Sequence, residues 1–280
     1  MSPGRDWDAH VHVFDAAAPA RAGHYTPGTR SLADIEAIAA QHGIGHLVLV
    51  QPSVYGTDNS VMLRALLQQS GRHRGIAVVN ADVRDAQLDA LHAAGVRGVR
   101  FNLVSPVGND AADLMALAPR LAERAWHAQW YARPHQLPQL VALQQRTGLV
   151  FVLDHLAGIT ADASATRAHW HALAELAAQG AWLKLSGWYR LGCREPYGEM
   201  IPLIQRAAAL FGNCLVWGSD WPHTSLPHDP ASRHASLIEP VCLAIGAAAT
   251  RDVLDVHPAA LYGGEERGMV ENSGFEPPGS

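Results

Sequence analysis

The chain has 280 residues, a formal net charge of −5 and 48% hydrophobic residues, enough to bury a large core. No apolar run reaches the roughly 18 residues of a membrane span, and no basic cluster indicates a nucleic-acid partner. The start of the chain has no basic segment followed by an apolar stretch, and the three cysteines are widely spaced. We therefore expect a cytoplasmic protein without a disulfide framework.

Short apolar stretches alternate with helical patterns along the whole chain. The predicted strands are Trp7–Val13, His46–Gln51, Gly75–Asn80, Gly98–Leu103, Ala128–Tyr131, Leu149–Asp154, Trp182–Ser186 and Leu215–Gly218. Between and after them, apolar residues recur every three or four positions. The predicted helices are Ser31–His42, Ser60–Gly71, Asp85–Ala94, Ala112–Trp126, Gln136–Thr147, Ala165–Gln179, Tyr197–Phe211, Ser232–Ala249 and Arg251–Leu261.

Local signals mark the ends of these helices. Ser31 with Asp34 is a weakened form of the capping box that begins many helices. Glycine is the residue that helix C-termini prefer, and it follows most of the predicted helices. The glycines in question are Gly43, Gly71, Gly95, Gly148, Gly180 and Gly212.

The alternation of elements predicts an α/β fold. Strands that are apolar on both faces are typical of a parallel sheet, and eight strand–helix units close best as a single-domain (β/α)8 TIM barrel. An open doubly wound sheet is the alternative, but no Gly-x-Gly-x-x-Gly follows the first strand. We assign residues 1–262 to the barrel, and residues 263–280, rich in Gly, Glu and Pro, to a loose tail.

Barrel active sites form at the C-terminal ends of the strands, where this sequence has three histidines and an aspartate. His10 and His12 share one face of the first strand because side chains alternate with period two. His155 follows strand six and Asp220 follows strand eight. These four residues suit a divalent ion such as zinc. They equally suit a metal-free site, in which Asp220 takes a proton from water and the histidines stabilise an oxyanion. A buried structural His pair is the alternative.

A second group of polar residues at the same strand ends is suited to binding a ligand. Arg100 lies in an apolar strand, where an arginine needs a partner: a ligand carboxylate or an internal acid. By alternation Asn102 shares its face. The remaining candidates for substrate binding are Ser53, Tyr25, Tyr131 and Arg190.

Four stretches carry a resemblance to a known family: Asp8–Phe14, Ala94–Asn102, Asp154-His155 and Trp217–His223. They resemble the amidohydrolase superfamily and, within it, the lactonase-like branch called amidohydrolase family two. The resemblance implies a distorted barrel that hydrolyses a cyclic ester in aromatic or sugar-acid catabolism. It implies a reaction centre and a set of substrate-binding residues. The reaction centre comprises His10, His12, His155 and Asp220; the residues for a carboxylated substrate are Arg100, Tyr25, Tyr131 and Arg190.

The resemblance also bears on cofactors. It implies either no metal or a single divalent ion, zinc or manganese, held by His10, His12, His155 and Asp220. Binuclear members of the superfamily use a carboxylated lysine. Lys184, which lies inside a predicted strand, is not a candidate for that role, so a binuclear site is not expected.

Two positions depart from the pattern of members that bind a dicarboxylate. Those members have further arginines where this chain has Pro106 and Gly158. A lactone with one carboxylate, or a sugar-acid lactone with more hydroxyls, is therefore expected. A metal-dependent decarboxylase, a sugar-acid lactone isomerase and a non-catalytic binding protein are the alternatives. The sequence leaves open whether the protein is a homo-oligomer.

Overall fold

A computed structural model describes residues 4–21, 28–105, 109–161, 166–224 and 233–263. In this part of the chain eight parallel strands form one sheet in the order of the sequence. The strands are β1 (Asp6–Val11), β2 (Ile44–Val50), β3 (Arg74–Ala77), β4 (Val96–Asn102), β5 (His127–Tyr131), β6 (Phe151–Leu153), β7 (Trp182–Ser186) and β8 (Leu215–Gly218).

The sheet closes just beyond the ends of β1 and β8. Val11 and Trp221 form a parallel bridge. The backbone N–H of His12 donates to the Trp221 carbonyl at 2.9 Å, and that of Asp220 donates to the His10 carbonyl at 2.8 Å. Because helices cover the outside of this sheet, the predicted (β/α)8 barrel is confirmed.

Nine α-helices follow the strands in the described residues, close to the predicted positions. They are α1 (Leu32–Gln41), α2 (Ser60–Gln68), α3 (Asp85–Ala93), α4 (Asp113–Glu123), α5 (Leu137–Thr147), α6 (Arg167–Ala178), α7 (Ile201–Phe211), α8 (Arg233–Leu254) and α9 (Val256–Tyr262). The capping box of α1 is confirmed: the Asp34 N–H donates to Ser31 Oγ at 3.2 Å, and the Ser31 N–H donates to Asp34 Oδ2 at 2.8 Å.

Two boundaries differ from the prediction for physical reasons. β3 ends at Ala77, before the predicted Asn80, because the backbone of Val78 pairs with a side chain instead of a strand. The Val78 N–H donates to Asn59 Oδ1 and the Val78 carbonyl accepts from Asn59 Nδ2, both at 2.9 Å. The last two helices meet at Asp255, later than predicted, and α8 bends at Gly246, whose φ is +80°.

Two apolar layers surround the sheet. The larger layer fills the space between the strands and the helices. The smaller one fills the barrel at the N-terminal ends of the strands, where Trp7 stacks on His46 with 4.6 Å between ring centroids, and Tyr262 of α9 packs beside Trp7. One end of the barrel is thus plugged, which leaves the C-terminal mouth for a site.

Two sequence-based predictions concern residues outside the described part. Tyr25 lies outside it, and so does the predicted tail beyond Gly263, so the domain division at residue 262 stays a prediction. None of the helices in the described ranges combines the length and the apolarity that crossing a membrane requires.

Candidate active site

An irregularity in the first strand places the two histidines at the barrel mouth. The register of β1 against β2 shifts between Asp8 and Val11. Such a shift changes the direction in which the side chains after it point, compared with the side chains before it. Ala9 belongs to the apolar interior, yet the rings of His10 and His12 also lie inside the barrel, with centroids 5.0 Å apart. The predicted shared face of the two histidines is present, although the strand is not regular.

Asp220 lies at the centre of the three histidines. Its Oδ1 atom is 3.4 Å from His12 Nε2 and 3.7 Å from His10 Nε2, and its Oδ2 atom is 3.9 Å from His155 Nε2. All four residues are buried. The structure therefore brings together the three imidazoles and the carboxylate that the sequence placed at the strand ends.

Unusual backbone conformations aim two of these side chains. His155 and Asp220 have φ values of +51° and +60°, a region that residues other than glycine rarely adopt. Each such residue costs about 1–3 kcal/mol and persists only where the surroundings enforce it. Ser186 holds the His155 ring, since its Oγ lies 2.9 Å from His155 Nδ1. Left-handed residues of this kind are typical of functional sites.

The hydrogen bond of His12 fixes the position of its proton. The Nδ1 atom lies 2.7 Å from the carbonyl of Val50, which can only accept, so Nδ1 carries the proton and donates. Burial lowers the pKa of His12, which favours the neutral ring. The lone pair of Nε2 consequently points at the Asp220 carboxylate, and a proton donor or a cation is needed between the two acceptors.

The charges of the site are strongly perturbed. Burial lowers the pKa of His155 to about 4 and that of His10 well below its usual value. Burial alone would raise the pKa of Asp220, but the adjacent Arg190 holds it well below the usual range. Asp220 is therefore ionised near neutral pH and can accept a proton.

A tyrosine and an arginine from the segment after β7 donate hydrogen bonds to the Oδ2 atom of Asp220. The Tyr189 hydroxyl and Arg190 Nε both donate to Asp220 Oδ2, and Arg190 Nη2 donates to Thr224 Oγ1 at 3.2 Å. Burial and the charge of Asp220 raise the pKa of Tyr189 well above its usual value, so its proton stays in place. Sequence reasoning missed Tyr189 and did not foresee that Arg190 pairs with Asp220; the assignment of Arg190 to the substrate stays a prediction.

A buried lysine beneath the histidines was also missed. Lys184 of β7 is completely buried and donates from Nζ to the Ala9 carbonyl at 2.9 Å and to Gln129 Oε1 at 2.8 Å. Its Nζ lies 3.4 Å from Asp154 Oδ1. Burial lowers the pKa of Lys184 to about 8, although the charge of Asp154 opposes this shift. A lysine in the middle of an apolar strand was the sequence signal that could have identified it.

A cavity of about 360 Å³ opens above this cluster. Arg100 forms part of its wall; its Nη1 donates to the Gln51 carbonyl at 3.1 Å, and its guanidinium lies 5.9 Å from the Tyr131 ring. Asn102 Nδ2 donates to Ser53 Oγ at 2.7 Å. Apart from Tyr25, every predicted substrate-binding residue lines the cavity: Ser53, Arg100, Asn102, Tyr131 and Arg190. Their roles stay predictions.

The fold and the site place this protein in the class of (β/α)8 hydrolases that have a His-x-His motif on the first strand and an aspartate after the eighth strand. The chain belongs to the amidohydrolase family, because residues 7–264 match the Amidohydro_2 family model, described as Amidohydrolase. The resemblance seen in the sequence is thereby confirmed.

Three proteins illustrate the similarity. The chain is 32% identical over 246 residues to 2-pyrone-4,6-dicarboxylate hydrolase of Comamonas testosteroni, covering 78% of this chain and 77% of the relative. It is 31% identical over 231 residues to 4-sulfomuconolactone hydrolase of Rhizobium radiobacter, covering 79% and 77%. A crystal structure from Acinetobacter baumannii, described as a "probable 2-pyrone-4,6-dicarboxylic acid hydrolase" with citric acid bound, has a TM-score of 0.81 and 28% identity, covering 92% of this chain and 99% of that one.

Proposed function

We propose that this protein hydrolyses a carboxylated lactone. The observation that carries the proposal is the position of Asp220 Oδ1, which is buried without a hydrogen-bond partner in the described residues and faces His10 and His12. An ionised carboxylate in this setting accepts a proton from a nucleophilic water. The relatives named for lactone hydrolysis support the same chemistry.

The reaction needs two proton transfers that Asp220 is placed to make. Water attacks the ester carbonyl carbon as its proton passes to Asp220. The ring C–O bond then breaks, and Asp220 returns the proton to the leaving alkoxide oxygen. The product is a hydroxy acid, whose new carboxyl group releases one proton to the solvent near neutral pH.

The carbonyl oxygen must be stabilised as it becomes negative. A histidine does this by donating from a protonated ring nitrogen, and the three imidazoles of the cluster surround the reacting position. His155 is the best placed of the three to donate, because its Nδ1 contacts a hydroxyl, Ser186 Oγ, which serves as donor or acceptor. Its Nε2 is consequently free to carry the proton.

The same residues fit a single divalent ion. His10 Nε2 and Asp220 Oδ1 are buried and lack hydrogen-bond partners within the described ranges. One ligand atom from each of His10, His12 and Asp220 lies within 4.8 Å of the other two. The Nδ1 of His12 donates to a backbone carbonyl, the arrangement that is typical of metal-bound histidines. When bound at His10, His12 and Asp220, with His155 adjacent, such an ion would supply a Lewis acid for the carbonyl.

Arg100 selects the carboxylate of the substrate in this proposal. Its side chain is buried in the cavity wall. Its Nε lies 3.7 Å from the internal acid Asp154, at Oδ2, and has no hydrogen-bond partner in the part of the chain that the structure describes. No second arginine enters from position 158: Gly158 has a φ of +75°, and a Cβ there would lie 2.7 Å from the carbonyl oxygen of Ala132. With Arg100 available and no arginine at position 158, a lactone with a single carboxylate fits the site better than a dicarboxylate.

A panel of lactones assayed with and without a chelator tests the proposal. The panel contains monocarboxylated, dicarboxylated and neutral lactones, including sugar-acid lactones, and turnover is read from proton release and product mass. We expect one carboxylated lactone to gain one water with release of one proton. A product of unchanged mass would indicate isomerisation, and carbon dioxide release would indicate decarboxylation. No turnover of any lactone in either condition would refute the proposal.

A further inference from the structure

Lys184 is the only lysine in the 280-residue sequence, and it lies where a lysine is least expected. The side chain is completely buried inside the barrel, beneath the histidine cluster, and it does not line the cavity. A buried ammonium group is costly unless its protons have acceptors and its charge has a partner. The partners that the fold supplies therefore indicate what the lysine does.

Two of the three ammonium protons have clear acceptors. Lys184 Nζ donates to the carbonyl of Ala9, the residue before His10, and to Gln129 Oε1. Gln129 in turn donates from Nε2 to Asp154 Oδ2 at 3.1 Å. The amide of Gln129 thus joins the lysine to the carboxylate and fixes the relative position of the two charges.

The third proton has two acceptors within reach. Asp154 Oδ1 lies at 3.4 Å and His10 Nδ1 at 3.5 Å from Nζ. The carboxylate is the stronger acceptor because it is charged. His10 Nδ1 is itself 3.3 Å from Asp154 Oδ1, so the same oxygen is available to a proton on that nitrogen. A proton on Nδ1 leaves the lone pair of His10 on Nε2, which faces Asp220 Oδ1.

We propose that Lys184 is a positioning residue for the reaction: its ammonium group, together with Gln129, holds the Asp154 carboxylate in place, and Asp154 orients His10 with the proton on Nδ1 and the lone pair on Nε2. The importance of this for turnover rests on the proposed hydrolysis. The orientation of His10 is a property of the resting protein and does not depend on it. His10 and His12 then present matching lone pairs to the reaction centre, to a water or to a metal ion.

A double-mutant cycle tests whether Lys184 acts through Asp154. Lys184→Met keeps the length of the side chain but removes its charge, and Asp154→Asn removes the opposite charge. We expect each to lower kcat by about 10- to 100-fold, the range seen for groups that orient a reactive histidine, with a smaller change in KM. The double variant should be no slower than the slower single variant. Reductions that multiply in the double variant would overturn the proposal, as would a wild-type kcat in Lys184→Met.

The double variant also shows whether a loss of activity in Lys184→Met comes from a loss of stability. Lys184→Met leaves the buried Asp154 carboxylate with only the more distant cation of Arg100, whose Nε lies 3.7 Å from Asp154 Oδ2. The double variant has no carboxylate there, so we expect its midpoint of thermal unfolding to exceed that of Lys184→Met. Gln129→Met removes the joining amide and should lower kcat in the same direction. The matched control is Gln144→Met on α5, another buried glutamine, whose Nε2 donates to the Gln179 carbonyl at 3.2 Å. It should leave kcat unchanged.

A measurement on the unliganded protein separates failure of this inference from failure of the proposed function. Long-range ¹H–¹⁵N correlation spectra report which ring nitrogen of a histidine carries the proton, and the His10→Gln variant identifies the His10 signals. We expect a protonated Nδ1 and an unprotonated Nε2 in the wild type, and a changed pattern in Lys184→Met. A proton on Nε2 in the wild type, or identical His10 signals in the two proteins, would overturn the inference even if lactones are hydrolysed.

Discussion

His10 Nε2 and Asp220 Oδ1 lie 3.7 Å apart, although they belong to opposite ends of the chain. They meet because the backbone of His10 bonds to that of Asp220 where the first and eighth segments of the barrel close. The segments that close the barrel therefore also bring these two side chains together. A change that disturbs the contact between these segments should impair stability and catalysis together.

Asp220→Asn tests the role of the carboxylate. The amide is nearly isosteric but cannot take a proton from water, so we expect kcat for the true substrate to fall by about 10²–10⁴-fold. Asp252→Asn, an exposed change on α8, should leave kcat unaltered. The two variants are compared by initial rates at saturating substrate. Near-native turnover in Asp220→Asn would mean that another group accepts the proton.

Arg100→Lys tests the recognition of the substrate carboxylate. Lysine keeps the charge but loses the planar fork that bonds a carboxylate through two N–H groups. We expect KM for a carboxylated lactone to rise about tenfold or more, with little change for a neutral lactone. Arg97→Lys is the matched control, because Arg97 is on the same strand but donates to the carbonyls of His92 and Val96, away from the cavity. Equal effects on charged and neutral lactones would contradict this role for Arg100.

The barrel, and the residues that belong to its site, could be predicted because both follow from the spacing of apolar residues and from the order of strands and helices along the chain. Strand–helix alternation predicts the parallel barrel, and barrel topology brings all C-terminal strand ends to one mouth. His10, His12, His155 and Asp220 could therefore be grouped before any coordinates. Ser31 and Gly43 likewise predicted the beginning and the end of α1, because local chemistry determines where a helix starts and stops.

The partners of the site residues were not predictable, because they depend on side chains that meet across the barrel axis. Arg190 pairs with Asp220, and nothing in the local sequence of either residue specifies the other. The same holds for Lys184, whose strand reads as a buried apolar run until its neighbours Gln129 and Asp154 are placed inside the barrel. The left-handed backbone of His155 was also unpredicted, because only the surrounding structure enforces it.

Gly218→Ala tests the link between barrel closure and the site. A Cβ on Gly218 would lie 2.6 Å from the Cβ and 2.8 Å from the backbone nitrogen of His10, so β1 or β8 must move. Overpacking of this kind costs about 1–3 kcal/mol. We expect a lower midpoint in urea unfolding together with a reduced kcat, because His10 is displaced.

Gly198→Ala is the control for that substitution. A Cβ on Gly198 meets no atom within 4 Å, and its φ is not in the left-handed region. Its urea midpoint should equal or slightly exceed that of the wild type, since alanine restricts the unfolded chain. If Gly218→Ala behaves like Gly198→Ala, the two segments are less tightly joined than the structure indicates.

His73 should make stability depend on pH at a position away from the active site. The buried ring accepts the Leu47 N–H at Nδ1, 3.1 Å away, and its Nε2 lies 3.1 Å from Glu36 Oε1. Burial is the largest cause that lowers its pKa below 6.5; Glu36 opposes this, and the nearby Arg72 and His46 add to it. A proton on Nδ1 would face the Leu47 N–H, which explains why the folded protein disfavours the charged ring.

The direction of the pH effect follows from the lowered pKa. Below pH 6.5 the unfolded chain binds a proton at this histidine that the folded protein does not, so the free energy of unfolding falls as the pH falls. His73→Asn has no group that titrates in this range, and its Oδ1 can replace the acceptor for Leu47. We expect the thermal midpoint of wild type to exceed that of His73→Asn by less at pH 5 than at pH 7. A wild-type advantage for His73 that is constant with pH would show that His73 binds its proton equally in both states.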